Sequence, residues 1–273
     1  MATPEVALLV STFERPAHLR RCLHSIAQQR DVDGRFEVVV TDDGSQDETL
    51  DIVREFAQTA DFPLRWTTHP HTDFHLALCR NEGVASSTAP YLIFVDGDCL
   101  LPPNFVKRHL AHRQPQVVLV GNSFRFDCET SQRITDAVIE SGEYRRWGAF
   151  RERWRIATVR MKGRLYAALH HPSKPKPLGG NLAIWRQDYE RVNGYDEAFR
   201  GWGCEDDDLG WRLRRAGLRF KSSLGWTLTY HLWHPKVPSA PQKWREGMNV
   251  EKLRDKTRQV VCLTGLLKTG TAS

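Results

Sequence analysis

Four acids stand side by side in the stretch GWGCEDDDLGWRLRRAG: Glu205, Asp206, Asp207 and Asp208. Each raises the cost of ionising its neighbours. A helix N-terminus welcomes one or two acids, because its free N–H groups and its dipole favour negative charge. Four exceed that need. Either the surplus is a solvated helix start, or one of the four takes part in chemistry. Crowding lifts a carboxyl pKa towards the range in which it can take a proton from an attacking hydroxyl.

A second acidic element, Asp96-Gly97-Asp98, follows the apolar run YLIFV. Two carboxylates on a glycine turn suit a hard divalent cation, Mn2+ or Mg2+, and the glycine lets a phosphate approach. A cation held by so few carboxylates completes its shell with phosphate oxygens and water, which points to a nucleotide diphosphate. Asp43, in VVVTDDGS, can then accept a hydrogen bond from a base N–H, and Phe13 can stack on the base. Neither GxxxxGK[ST] nor GxGxxG occurs, which argues against P-loop chemistry and a dinucleotide fingerprint.

These groups need elements to position them. VALLVST (6–12), FEVVVTDDGS (36–45) and YLIFVDGDC (91–99) read as strands buried on both faces. Helical spacing of Leu19, Cys22, Leu23 and Ile26 follows Pro16, and further helices are expected over 49–56 and 76–85, with a short strand at 63–69. The order predicts an α/β fold with a Rossmann-like, mostly parallel sheet and right-handed crossovers. Ligands bind such sheets at the carboxyl ends of the strands. Ser11-Thr12-Phe13, Asp42-Asp43-Gly44 and Asp96-Gly97-Asp98 end three strands and should line one crevice. Further on, 117–126 reads as one strand. Residues 179–199 read as strand, helix and turn, and 218–235 as one strand ending in His231 and His234. A helix is expected within 250–267.

Hydrophobic residues make up 40% and charged residues 26% of the 273, ordinary for a soluble globular protein. No apolar run approaches the roughly 18–20 residues that span a bilayer. The N-terminus reads as a buried strand and not as a signal peptide. Six scattered cysteines without a CxxC pair argue against a zinc site or disulfide framework and for a reducing cytosol. The net charge of +6 is local: residues 144–176 carry ten Lys or Arg against one acid, so the remainder of the chain is −3. A local excess suggests an anionic partner.

The pieces LLVSTFERPAHLRRCLHSIAQQ, VVVTDDGSQDET, CRNEGVASSTAPYLIFVDGDCLLPPNFV and GGNLAIWRQDYERVNGYDEAF resemble family 2 glycosyltransferases with the GT-A fold. GWGCEDDDLGWRL resembles the acceptor-side motif of β-1,4-galactosyltransferases and chondroitin-polymerase modules. The resemblance runs over residues 6–235 in the family's motif order and leaves out the basic segment and the tail. It implies one continuous GT-A domain. Residues 1–122 would be its nucleotide-sugar-binding half, 123–178 a basic, helical insertion, 179–240 the acceptor-binding and catalytic-base half, and 241–273 a tail.

By the same resemblance, Ser11, Thr12 and Phe13 line the nucleoside pocket, Asp43 binds the base, and Arg80 the nucleotide or its phosphates. Asp98 ligates the metal, with Asp96 nearby through the ribose or a water. Gly180 and Asn181 border the donor sugar. His231 fits the histidine that completes the metal site, with His234 a rival. Asp206 is the base, Glu205 binds an acceptor hydroxyl and Trp202 stacks on a sugar face. Asp207 and Asp208 cap the helix, and Asp208 can pair with Arg212 at i+4. The implied activity is metal-dependent, inverting transfer from a nucleotide-diphospho sugar, expected to be UDP-linked, to a glycan or lipid-linked hydroxyl. Two other classes are a nucleotidyltransferase and an inactive binding module. The first needs a Gly-rich triphosphate loop where SerThrPheGluArgPro stands, and an intact DGD and EDDD speak against the second.

The basic segment remains. Trp147, Phe150 and Trp154 fall at i, i+3 and i+7, one helical face. Its aromatics either pack on the catalytic domain, or dock the protein peripherally on an anionic, cytoplasmic membrane face, with Arg151, Arg153 and Arg155 carrying charge. Nucleic acid is not an expected partner.

Overall fold

A computed structural model describes residues 3–32, 34–169, 171–235 and 246–268. The expected start of the tail at 241 lies outside them, as does His170 of the proline-rich loop.

The first half follows the expected alternation: β1 (Val6–Thr12), α1 (Pro16–Ala27), β2 (Phe36–Asp42), α2 (Thr49–Thr59), β3 (Leu64–Thr68), α3 (Leu76–Ala85) and β4 (Tyr91–Asp96). β1 pairs in parallel with β2 on one side and β4 on the other, and β2 pairs in parallel with β3. Every residue of β1 is buried. Val6, Leu8 and Val10 face one core with α1, while Ala7 and Leu9 face the other. Two covered faces are why the run reads as continuously apolar.

The second half departs from its expected elements. Residues 117–126 split into β6 (Val117–Val120) and β7 (Ser123–Arg125), and 218–235 into β9 (Arg219–Ser222) and β10 (Thr229–His231). β6 and β9, with β8 (Leu182–Trp185), complete a seven-stranded sheet of order β3-β2-β1-β4-β8-β6-β9. β7 and β10 form a second sheet with β5 (Cys99–Leu100), order β5-β10-β7. Each break lets the chain leave one sheet and enter another, a change that apolar periodicity does not register. After α4 (Phe105–His112), α5 (Cys128–Gln132) and α6 (Asp136–Ser141), the basic segment forms α7 (Phe150–Ala168). It is followed by α8 (Arg186–Glu190) and α9 (Glu205–Arg215). The tail helix is shorter than expected and earlier, Met248–Arg254.

Candidate active site

Register brings the strand ends together. Ser11 pairs with Asp96, and Thr12 with Asp42. The Gly97 and Asp43 N–H groups donate to the Ser11 and Thr12 carbonyls, at 2.8 and 3.1 Å. The three polar clusters therefore share one edge of the sheet, at the carboxyl ends of β2, β1 and β4, where such sheets bind ligands.

The two acids of the DDGS turn have different work. Asp42 Oδ2 accepts from the Gly44 and Ser45 N–H groups and from Thr68 Oγ1, at 3.1, 2.9 and 2.8 Å, so it holds the turn. Gly44 has φ +80°, and a Cβ there would lie 2.4 Å from the His71 nitrogen. Asp43, also buried, has Oδ1 2.9 Å from His69 Nε2 and accepts the His75 N–H at Oδ2, 3.1 Å. His69 Nδ1 lies 3.0 Å from Glu82 Oε2. Burial disfavours the His69 imidazolium, but Glu82 and Asp43 outweigh burial and raise its pKa. The Phe13 ring stacks on His71 at 4.2 Å.

Asp96 and Asp98 point to different partners. The small sheet pairs His231 with Cys99, and the Leu232 N–H donates to the Asp98 carbonyl. Asp98 Oδ2 thereby lies 2.9 Å from Arg15 Nη1, 3.3 Å from His234 Nε2 and 3.6 Å from His231 Nε2. Asp98, His231 and His234 each offer a ligand atom within 4.8 Å of the others, so both histidines face the carboxylate. Burial opposes ionisation of Asp98, yet His234, His231 and Arg15 hold its carboxyl well below the usual range. One carboxylate with two imidazoles suits Mn2+ better than Mg2+, which prefers oxygen ligands.

Asp96 instead meets Arg80. Burial pushes its carboxyl up to about 6, with Arg80 opposing and the neighbouring acids adding. The fully buried Arg80 donates from Nη2 to Asp96 Oδ1, 3.4 Å, and from Nη1 to Asp206 Oδ1 and the Tyr195 hydroxyl, 2.9 and 3.0 Å. Burial alone would lower its pKa, but Tyr195 and the acids prevail and raise it. Glycine is needed beside it: a Cβ on Gly179 would lie 1.8 Å from Arg80 Nη2, and one on Gly180 2.5 Å from Asp96 Oδ2.

The four consecutive acids divide in two. Asp207 pairs with Lys176 at 2.7 Å. Asp208, buried, pairs with Arg212 at 2.7 Å and Arg258 at 2.8 Å, and Arg212 also donates to the Val192 and Gly194 carbonyls. These pairs anchor α9. The i+4 pairing matches expectation, while the cap residue Cys204 makes no side-chain cap bond. The first two acids face the crevice. Asp206 accepts from Arg80 and, at 2.7 Å, from Tyr195 on Oδ1, and from the Gly179 N–H at 2.9 Å on Oδ2. Glu205 Oε2 is buried without a hydrogen-bond partner among the described residues. Burial and the Asp206 charge, opposed by Arg80, push the Glu205 carboxyl up to about 7. Trp202 sits in the preceding loop, where Gly201, Gly203 and Cys204 take φ of +71°, +96° and +77°.

That arrangement carries a stability cost. A carboxyl whose folded pKa lies above its unfolded value loses stability as pH rises through the interval between them, here from about 4.5 to about 7. Glu205→Gln should therefore be more stable than the parent at pH 8, by on the order of 3 kcal/mol, and melt at a higher temperature. The difference should shrink towards pH 4.5, as thermal melts across that range would record.

Two of the expected site residues also have partners in the packing. Arg80 is engaged with Asp96, Asp206 and Tyr195, and the nearby Glu205 carboxylate also favours its charge. Asn181 is fully buried, its side chain lying against Gly121, where a Cβ would sit 2.1 Å from it. It therefore supports the loop from behind, while Gly180 faces Asp96. Arg15, His69, Glu82 and Tyr195 were not singled out from sequence. His69 follows the carboxyl end of β3, so the strand-end rule had the signal to find it.

Comparisons with known proteins bear on the family and the fold. The profile of glycosyl transferase family 2 matches residues 7–171, and that of the N-terminal domain of galactosyltransferase matches 165–234. The validoxylamine A glucosyltransferase of Streptomyces hygroscopicus subsp. limoneus is 30% identical over 79% of this chain and 49% of its own length. The hyaluronan synthase of Pasteurella multocida is 24% identical over 92% of this chain and 27% of its own. The chain thus spans about half or less of the length of these curated relatives. Among solved structures, the Pyrobaculum calidifontis mannosyltransferase PcManGT, in complex with GDP-Man and Mn2+, superposes with a TM-score of 0.61 at 17% identity, covering 92% of this chain and 68% of that one. S. aureus TarS 1-349, in complex with UDP-GlcNAc, gives 0.58 at 15%, covering 86% and 60%. Both likenesses concern the GT-A fold.

Proposed function

Because the chain belongs to glycosyl transferase family 2, we propose that it catalyses metal-dependent, inverting transfer of a sugar from a UDP-linked donor to a hydroxyl of a glycan or lipid-linked acceptor. The observation that carries this reading is the Arg80 bridge. One buried guanidinium touches Asp96 beside the candidate metal ligands and Asp206 in the acceptor-side motif, so donor and acceptor groups face one crevice.

Ser11, Thr12 and Phe13 would line the nucleoside pocket. Asp43, held by His69 and the His75 N–H, would accept from the base. Asp98, His231 and His234 would hold Mn2+, which supplies positive charge for the leaving diphosphate. Asp96 would face the ribose and Gly180 the donor sugar, with Asn181 fixing the loop. Arg80 would add its charge to the donor side. Trp202 would stack on a sugar face, Glu205 would bind an acceptor hydroxyl, and Asp206 would take the proton of the attacking hydroxyl as that oxygen approaches the anomeric carbon opposite the diphosphate. A second reading exchanges the last two roles. Glu205 has the unpartnered oxygen and the pKa of about 7, whereas Asp206 already accepts three hydrogen bonds.

Released UDP, measured across a panel of UDP-sugars after chelation and add-back of Mn2+ or Mg2+, tests the proposal. Release should require metal and be faster with Mn2+. Release of pyrophosphate from a nucleoside triphosphate would favour a nucleotidyltransferase, and nucleotide-sugar binding without turnover on any acceptor a binding module. The setting that fits a lipid-linked acceptor is peripheral, on the cytoplasmic membrane face. No helix among the described residues is long and apolar enough to cross a membrane.

A further inference from the structure

Helix α7 buries none of its residues. Its inner side is only partly covered. Arg155 donates to the Ser123 carbonyl and pairs with Glu152, at 2.6 Å in each case, Glu152 accepts the Arg125 N–H, and Gly163 runs past Ser222. Trp147 lies before the helix and packs with the small-sheet core, so the three aromatics do not form one helical face. The outer side is apolar and open: Phe150 is 79% exposed, Trp154 67%, Met161 65% and Leu165 54%, and Leu169 continues the line at 68%. Spacings of four, seven and four place these residues in a single stripe. Exposed Arg160 and Arg164 border it on one side, and exposed Arg151 and Lys162 on the other, while Arg153 donates to the Arg146 and Trp147 carbonyls. The one acid of the segment, Glu152, is turned inward.

An open apolar stripe between two basic rows matches the boundary of an anionic bilayer, where acyl chains lie beneath negative headgroups. A neutral partner helix would match the stripe and leave the basic rows unused. We infer that α7 lies in the plane of an anionic membrane surface, its Phe150–Trp154–Met161–Leu165 stripe immersed and its Arg and Lys rows on the headgroups. The segment that follows α7 reaches the acceptor side directly, through Lys176–Asp207 and the Gly179 N–H on Asp206. Docking in this way would present the crevice to acceptors embedded in the same leaflet. The docking itself does not depend on the sugar-transfer reading. Arg155, expected from sequence to carry surface charge, belongs to the packing side.

Sedimentation with neutral phosphatidylcholine vesicles and with vesicles containing 30% phosphatidylglycerol, at low and high salt, tests the inference. Binding should favour the anionic vesicles and weaken with salt. Replacing Arg151, Arg160, Lys162 and Arg164 by Ser should lower anionic binding on the order of 1000-fold. Replacing Phe150, Trp154, Met161 and Leu165 by Ser should also abolish it, while helical circular dichroism and UDP release from a soluble donor, measured separately, stay at the parent level. Equal binding to both vesicle types, or to neither, overturns the inference. So does a dimer in light scattering that the apolar replacements dissociate, which would assign the stripe to a second copy.

Discussion

Asp98→Asn should leave a folded protein whose sugar transfer is slower by about three orders of magnitude, since a catalytic metal contributes several kcal/mol of charge stabilisation. The carboxylate is the only anionic member of its ligand group, and a neutral amide of the same shape cannot take its place. Titration with Mn2+, followed by calorimetry or by the free-ion electron paramagnetic resonance signal, should show weakened binding alongside the lost turnover. The separate variants His231→Ala and His234→Ala should each weaken Mn2+ binding, because both ring nitrogens face the same carboxylate oxygen. A variant that binds Mn2+ as the parent does removes that residue from the ligand set. Undiminished transfer by Asp98→Asn would remove the site.

Asp206→Asn should lower transfer to acceptor by about 10²–10⁴-fold, the range expected for a lost general base. Donor binding should change little. The amide cannot take the hydroxyl proton, and it leaves Arg80 with Asp96 and Tyr195 as partners. A thermal melt therefore accompanies the assay, and Asp206→Glu, which keeps the charge, serves as a second variant with partial activity. The pH profile separates the two acids. A base works when ionised, so its rate rises with pH through its own pKa. If Glu205 is the base, the parent rate should climb through about pH 7, and Glu205→Gln should lose both turnover and that limb. If Asp206 is the base, Glu205→Gln should raise KM for acceptor more than it lowers kcat. Full transfer by Asp206→Asn would overturn its assignment.

Much of the framework was legible in the chain. Continuous apolar runs ending in Ser-Thr, Asp-Asp-Gly and Asp-Gly-Asp specified parallel strands and the sheet edge at which their polar ends meet. The strand register then aligned Ser11 with Asp96 and Thr12 with Asp42. Local pairing was equally legible where partners lie one helical turn apart, as Asp208 and Arg212 do. Strand breaks at residues 121–122 and 223–228 were not, because an apolar run looks the same whether it stays in one sheet or passes to another.

Local spacing by itself determined which residues share an edge or a face of their own element: the acids at the strand ends, the Asp96-Gly97-Asp98 turn, the basic helix. Only the tertiary structure decided what meets each face. Arg80 and Asp206 are 126 residues apart, yet their contact joins the acids at the strand ends to those at the start of α9, and nothing in the local periodicity of either segment encodes it. His231 and His234 both face Asp98 because the small sheet sets them there. The outer stripe of α7 is open because the small sheet covers only the opposite side. Glu205 and Asp208 come from the same acidic run, but burial and the neighbouring Asp206 charge lift the carboxyl of one, while Arg212 and Arg258 pair the other. The chain sets the period and the chemistry of each face; the packing of distant segments sets the dielectric and the counter-charges around it, and those determine what the same four acids can do.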